Sequence, residues 1–232
     1  MSDRNAILRD SLAIGAATAA YGVSFGALAV AGGLEPLQAQ ALSGLMFTGA
    51  SQFALVGVIG AGGGAIVAIA TAAFLGARNM FYAFHMAPIL KVSGFRRLLA
   101  AHMTIDESTG MAMGHEDSIV NARTAFWSTG FAIFVLWNGG TLVGALGAGL
   151  LGDPARWGLD AAIPAAFLAL MWPRLSTSVA RVTAAVAIGL ALVATPLLPA
   201  GVPVLLAGLS SVGVGLLYQR WRPARIPPTV LP

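Results

Sequence analysis

The chain has no cysteine, which excludes disulfides and thiolate metal sites. Its three histidines are dispersed, so no metal or other cofactor is expected. Charge is scarce as well: 9% of residues are Asp, Glu, Lys or Arg, against about 25% in soluble domains. The 13 Lys and Arg outnumber the 9 Asp and Glu, but they are too thinly spread for a nucleic-acid surface. Catalytic signatures are also missing. There is no Gly-x-x-x-x-Gly-Lys-Ser/Thr loop, so this chain brings no ATP site of its own. There is no His-Glu-x-x-His. Ser51 sits in Gly-Ala-Ser-Gln-Phe, and Ser210 and Ser211 in Gly-Leu-Ser-Ser-Val-Gly, so no serine has the Gly-x-Ser-Gly setting of an intramembrane protease.

What is present is apolar: 57% of residues belong to the AVILMFWYC set and mean hydropathy is +0.82, which places the chain in the lipid bilayer. The composition predicts an all-α integral membrane protein, a polytopic helical bundle of about six to eight transmembrane segments. The N-terminus MSDRNAILRD has mixed charge and a long apolar run after it, so it reads as uncleaved. The chain reads as a single transmembrane domain over 1–232. Its parts are a first helical group (1–90), a polar connector (91–122), a second helical group (123–219) and a basic tail (220–232).

Ser11 to Leu34 is free of charge and long enough to span, and carries Gly22-x-x-x-Gly26. Thr124 to Gly152 is a second clean span, with Trp137-Asn138 midway and Gly140-x-x-x-Gly144. These two glycine faces are expected to favour helix contacts, including contacts beyond one small bundle. The segment 37–60 is interrupted by Thr48-Gly49-Ala50-Ser51-Gln52, which predicts a broken or re-entrant helix. Such a break offers backbone N–H groups, with Ser51 and Gln52 adding side-chain hydrogen bonds. The competing role is a small-residue packing face with Gln52 bonded across it.

Arg78 and Asn79 are the sharpest signal. No charged residue lies between Pro36 and Ala77, so Arg78 falls deep in an apolar run. A charge at such depth costs at least ~2.5–3.5 kcal/mol and normally faces protein or a water-filled cavity. An arginine can grip a carboxylate bidentately; the alternative is a brace to backbone carbonyls or to Asp106. The substrate-binding candidates are therefore Thr48, Gly49, Ser51, Gln52, Arg78 and Asn79, with Phe47, Phe53 or Phe167 against an aliphatic tail.

The stretch 98–114 is a poor span, because His102, Thr104, Asp106, Glu107 and Ser108 interrupt it. It predicts a surface helix or a polar helix buried in the bundle. Asp106 and Glu107, with His102 one turn earlier, are the candidates for proton coupling, Asp106 foremost; capping or an ion pair with Arg78 is the competing role. The segment 91–97 reads as a basic loop and His115-Glu116-Asp117 as a solvated one. Val182 to Gln219 is expected to hold two spans divided by Pro196, Pro199 and Pro203, and Ala161–Pro173 a short one. A weak internal repeat pairs TGASQFAL with IPAAFLAL.

The basic residues leave two topologies open. If every candidate crosses, the 91–97 cluster lies opposite the other basic clusters. If 37–60 re-enters and 98–114 does not span, all basic clusters share one side.

Three stretches, LSGLMFTGASQFALVG (42–57), ARNMFYAFHMAP (77–88) and AHMTIDESTGMAM (101–113), together make the chain resemble the AzlC family of branched-chain amino acid exporters. One departure is that Gly76 stands where the family often has Asn, and Asn79 follows Arg78. The resemblance implies secondary export of branched-chain or similar apolar amino acids across a bacterial inner membrane, with a small AzlD-type membrane subunit as partner; the arginines near each end place both termini on the cytoplasmic side. A non-transporting assembly subunit is the alternative. It needs Arg78 and Asp106 only for folding.

Overall fold

The computed structural model describes residues 3–151 and 171–221, with positions 156, 158 and 168. It divides into two compact units, 1–166 and 167–232. Among the described residues all regular structure is helical, as it must be where lipid offers no partner for backbone N–H and C=O groups.

In the first unit, α1 (Asp3–Ala31) and α8 (Ile119–Leu151) lie side by side and run in the same direction. Near their starts the Ser11 hydroxyl is 2.8 Å from that of Ser128 and 2.9 Å from that of Thr129. Further along, a Cβ added at Gly22 would stand 2.6 Å from the Trp137 carbonyl oxygen, and one at Gly26 would fall on that of Thr141. Gly140 and Gly144 meet Ala19 and Val23 in the same way. The two Gly-x-x-x-Gly faces are thus packed against each other within one chain, the close backbone approach that only glycine permits. This corrects the expectation that they reach beyond the bundle.

α2 (Pro36–Leu45) and α3 (Gly49–Gly60) form a hairpin. α2 starts where α1 ends and leads to Phe47, whose ring is 5.1 Å from that of Phe134 on α8. α3 then returns, and a Cβ at Gly32 would stand 3.6 Å from the Gly60 Cα. The segment 37–60 therefore enters and leaves on the side where α1 ends. Its break lies at Met46–Thr48, and Gly49 to Gln52 already form the first turn of α3. The interruption is thus earlier than the run of small residues suggested. Gln52 explains the difference: its amide donates to the carbonyls of Ser43 (3.1 Å) and Met46 (2.7 Å). Carbonyls at a helix end lack partners inside the helix, so Gln52 closes α2 from within α3.

α4 (Ala65–Gly76) runs antiparallel to α3, fixed by the Ser51 hydroxyl donating to the Ala72 carbonyl at 2.8 Å. α5 (Arg78–Leu90) continues it past Ala77 to the side where α1 begins. There the Ile89 carbonyl accepts from Arg123 Nε, 2.8 Å away near the start of α8. α6 (Phe95–Met103) rises from this side until Met103 packs on Gly130, and α7 (Asp106–Met113) returns. The stretch 98–114 is therefore a second hairpin, entering opposite to the first. The Ser108 hydroxyl holds its tip, donating to the Met103 carbonyl at 2.6 Å and accepting from the Ile105 N–H at 3.1 Å.

Among the described residues three helical stretches are long and apolar enough to cross a membrane: Arg4–Ala31, Ala65–Leu90 and Ile119–Ala148. With two hairpins between them, Arg4, Arg9, Lys91, Arg96, Arg97 and Arg123 all fall on one side, the second of the two topologies. α6 already begins at Phe95, so the basic segment is only partly a loop. A crossing stretch followed by a hairpin occurs twice in opposite orientation: α1 with α2–α3, then α4–α5 with α6–α7. This is an inverted repeat. It differs from the expected pairing with IPAAFLAL, which lies, apart from Leu168, outside the described residues.

In the second unit, a 3-10 turn at Trp172–Ser176 leads to α9 (Ser178–Ala194) and α10 (Val202–Trp221), which pack on each other. The Thr177 hydroxyl caps α9 by accepting from the Ala180 N–H at 3.2 Å. Pro196 and Pro199 lie in the intervening turn, and Pro203 occupies the first turn of α10, where its missing N–H costs nothing. The expected short span and the basic tail beyond Trp221 fall almost entirely outside the described residues.

Candidate functional site

Arg78 is the first residue of α5 and Asp106 the first of α7. Arg78 Nη2 lies 2.7 Å from Asp106 Oδ2. The pair sits near the middle of the Ala65–Leu90 stretch, where an unpaired charge is costly. The side chains remain 39% and 19% exposed, so the pair is reachable rather than sealed.

Four buried polar atoms here have no hydrogen-bond partner: Arg78 Nε and Asp106 Oδ1 of the pair itself, Asn79 Oδ1 on the next residue of α5, and the Thr109 hydroxyl one turn along α7. Buried polar groups are nearly always satisfied, so this concentration stands out. Thr109 follows Asp106 by three positions and shares its face of α7. Sequence reasoning did not single it out, although that spacing was visible.

Helix N-termini add to the local field. α3 starts at Gly49, and its first intrahelical bond is Gln52 N–H to the Thr48 carbonyl at 3.0 Å, so the N–H groups of Gly49 to Ser51 lie ahead of the ladder. The Thr48 side chain does not cap them. This first turn abuts the end of α4, since a Cβ at Gly76 would stand 3.1 Å from the Ser51 hydroxyl. α7 begins at Asp106 itself. Two positive dipole ends therefore approach the start of α5.

The other predicted residues are distributed as follows. Gln52 is fully buried, with its amide on Ser43 and Met46 and its Oε1 accepting from Trp137 Nε1 at 2.9 Å. It braces the first hairpin against α8, and all its polar atoms are engaged. Ser51 likewise spends its hydroxyl on Ala72. Phe53 packs between Phe25 and Trp137, Phe47 lies at the hairpin tip, and Phe167 is outside the described residues. Glu107 is half-buried and within electrostatic range of both Asp106 and Arg78, but among the described residues it is in no ion pair. His102 packs against both Phe47 and Phe134, ring centroids 5.7 Å from each, and among the described residues makes no hydrogen bond to the acid pair. Glu116, expected in a solvated loop, pairs at 2.6 Å with His85 of α5. Among the described residues no cluster of three or more His, Cys, Asp or Glu suits a metal ion.

The architecture defines the class: a helical membrane protein of inverted, broken-helix units whose half-helix ends converge on an Arg–Asp pair. A family model described as AzlC protein matches residues 13–151, more than half of the chain and nearly all of α1 to α8. The chain belongs to the AzlC family, which is associated with branched-chain amino acid transport. No curated protein and no solved structure matches it.

Proposed function

We propose that this protein is a secondary transporter that exports branched-chain or similar apolar amino acids across the bacterial inner membrane. The observation that carries this reading is the Arg78–Asp106 pair, each partner with an unsatisfied polar atom of its own, together with the unsatisfied Asn79 Oδ1 and Thr109 hydroxyl. An amino acid zwitterion has the complementary groups. Its carboxylate is matched by Arg78, the Thr109 hydroxyl and the N–H groups opening α3; its ammonium is matched by Asp106 Oδ1 and Asn79 Oδ1. In this scheme the zwitterion exchanges with a pre-existing ion pair, so neither charge is left alone at any stage. Thr48, Gly49 and Ser51 contribute through backbone N–H groups, while Gln52 holds the break in shape. Phe47 is the aromatic nearest the first break for an aliphatic tail.

Asp106 is paired with Arg78, so proton coupling falls to its neighbour Glu107, which among the described residues has no ion pair. His102 has no hydrogen-bonded link to it. The side holding Arg4, Arg9, Arg96, Arg97 and Arg123 is the cytoplasmic one in this reading. The partner is a small AzlD-type membrane subunit.

The Arg78–Asp106 contact also suits the alternative, an assembly subunit in which the pair only ties α5 to α7. Efflux separates the two. Cells loaded with leucine- or valine-containing dipeptides are expected to release the free amino acid faster when the protein and its small partner are both present. Unchanged efflux with both in the membrane favours the assembly role.

A further inference from the structure

We infer that the ring contact between Phe47 and His102, resting on Phe134, is the closed gate of the pathway. The inference rests on the transport reading above and adds the place where passage is blocked. Phe47 lies at the break of the first hairpin, and His102 in the last turn of α6 in the second. Their ring centroids are 5.7 Å apart at a tilt of 34°. Each also meets Phe134 of α8 edge-on, at 5.1 Å and 5.7 Å. The two hairpins enter the bundle from opposite sides. Their tips therefore bound the two half-paths, and a solute moving from one half to the other has to part these rings.

The chemistry suits a gate more than a fixed joint. Offset and edge-on ring pairs are individually weak and tolerate sliding. The chain on either side is already out of helix, at Met46–Thr48 and at Thr104–Ile105, so a tip can shift without breaking a ladder of backbone hydrogen bonds. The Gln52 amide that keeps the first tip in shape, on Ser43 and Met46, belongs to the same hairpin, so a shift of the tip away from α8 gives up one side-chain hydrogen bond, that from Trp137 Nε1 to Gln52 Oε1. α8 supplies the stationary post: its Phe134 lies on a helix locked to α1 by interleaved glycines.

The absence of native cysteine makes the test direct. Thr109→Cys gives a single thiol on α7, on the N-terminal side of the rings. A membrane-impermeant methanethiosulfonate is added from the side opposite the N-terminus, and the rate of labelling is measured. With Phe47 in place the thiol is expected to be protected. Phe47→Ala is expected to raise its rate at least roughly tenfold through a larger open population, while Phe47→Trp keeps it protected. Phe47→Leu, which keeps apolar bulk but not the ring, serves if the alanine variant is absent from the membrane. Rapid labelling with Phe47 intact overturns the gate. So does equally slow labelling in a ring-less variant of normal abundance. Amino acid efflux by the native protein, with Thr109 and Phe47 intact, tests the transport reading separately: opened labelling in the variants with no efflux by the native protein keeps the gate and removes the substrate class.

Discussion

Arg78 and Asp106 are each the first residue of a helix, and a 2.7 Å contact joins the two helix starts. Charge, dipole and unsatisfied hydrogen-bonding capacity thus meet near mid-span. Removing the acid without removing the arginine leaves a cation unpaired within an apolar stretch. Asp106→Asn is therefore expected to lower both membrane abundance and export. The double change Arg78→Gln with Asp106→Asn recovers abundance, measured by immunoblot of membranes, but not export.

Glu107 gives a separable prediction. Export by Glu107→Gln is expected to continue at a rate that no longer varies with external pH between 5.5 and 8, roughly the range in which perturbed carboxylates titrate. The check is efflux at matched membrane abundance. A pH profile unchanged from the native protein places coupling elsewhere.

Gln52 links three parts of the fold, so its removal is a stability experiment. Gln52→Ala frees the Trp137 indole N–H and the carbonyls of Ser43 and Met46. Each unsatisfied buried group costs about 1–3 kcal/mol. The expected result is a clear fall in melting temperature in mild detergent, together with weaker apparent substrate affinity because the first turn of α3 loses its position.

The interleaved glycines predict a sharp positional contrast. Gly144→Ala drives a methyl group into the Val23 carbonyl, whereas at Gly139 a Cβ meets nothing within 4 Å. Membrane abundance is expected to collapse for the first and hold for the second, and immunoblotting checks both.

Much of this was legible before any coordinates. Long charge-free runs marked α1 and α8, because a bilayer fixes the length a helix needs. The lone Arg78 announced itself by the absence of charge from Pro36 to Ala77. Its partner was harder: Asp106 appeared both as a coupling acid and as an ion-pair candidate, and only packing of α7 beside α5 joined the two. The direction of 37–60 was not readable either, since a broken segment satisfies the span rules whether it crosses or returns. The Gly32–Gly60 approach decided it. The engagement of Gln52 by Trp137, 85 positions away, leaves no local trace in the chain, and Thr109 looked like one more hydroxyl in a polar stretch until its lack of a partner set it apart.

The most direct test of the central claim is amino acid efflux by Arg78→Lys, measured beside its membrane abundance in cells that also carry the partner subunit. Lysine keeps the charge and can still pair with Asp106, but it cannot offer a carboxylate two parallel N–H groups. The account predicts near-normal abundance and efflux reduced at least about tenfold, equivalent to some 1.4 kcal/mol of lost stabilisation. Native-level efflux from a well-expressed Arg78→Lys protein would contradict it.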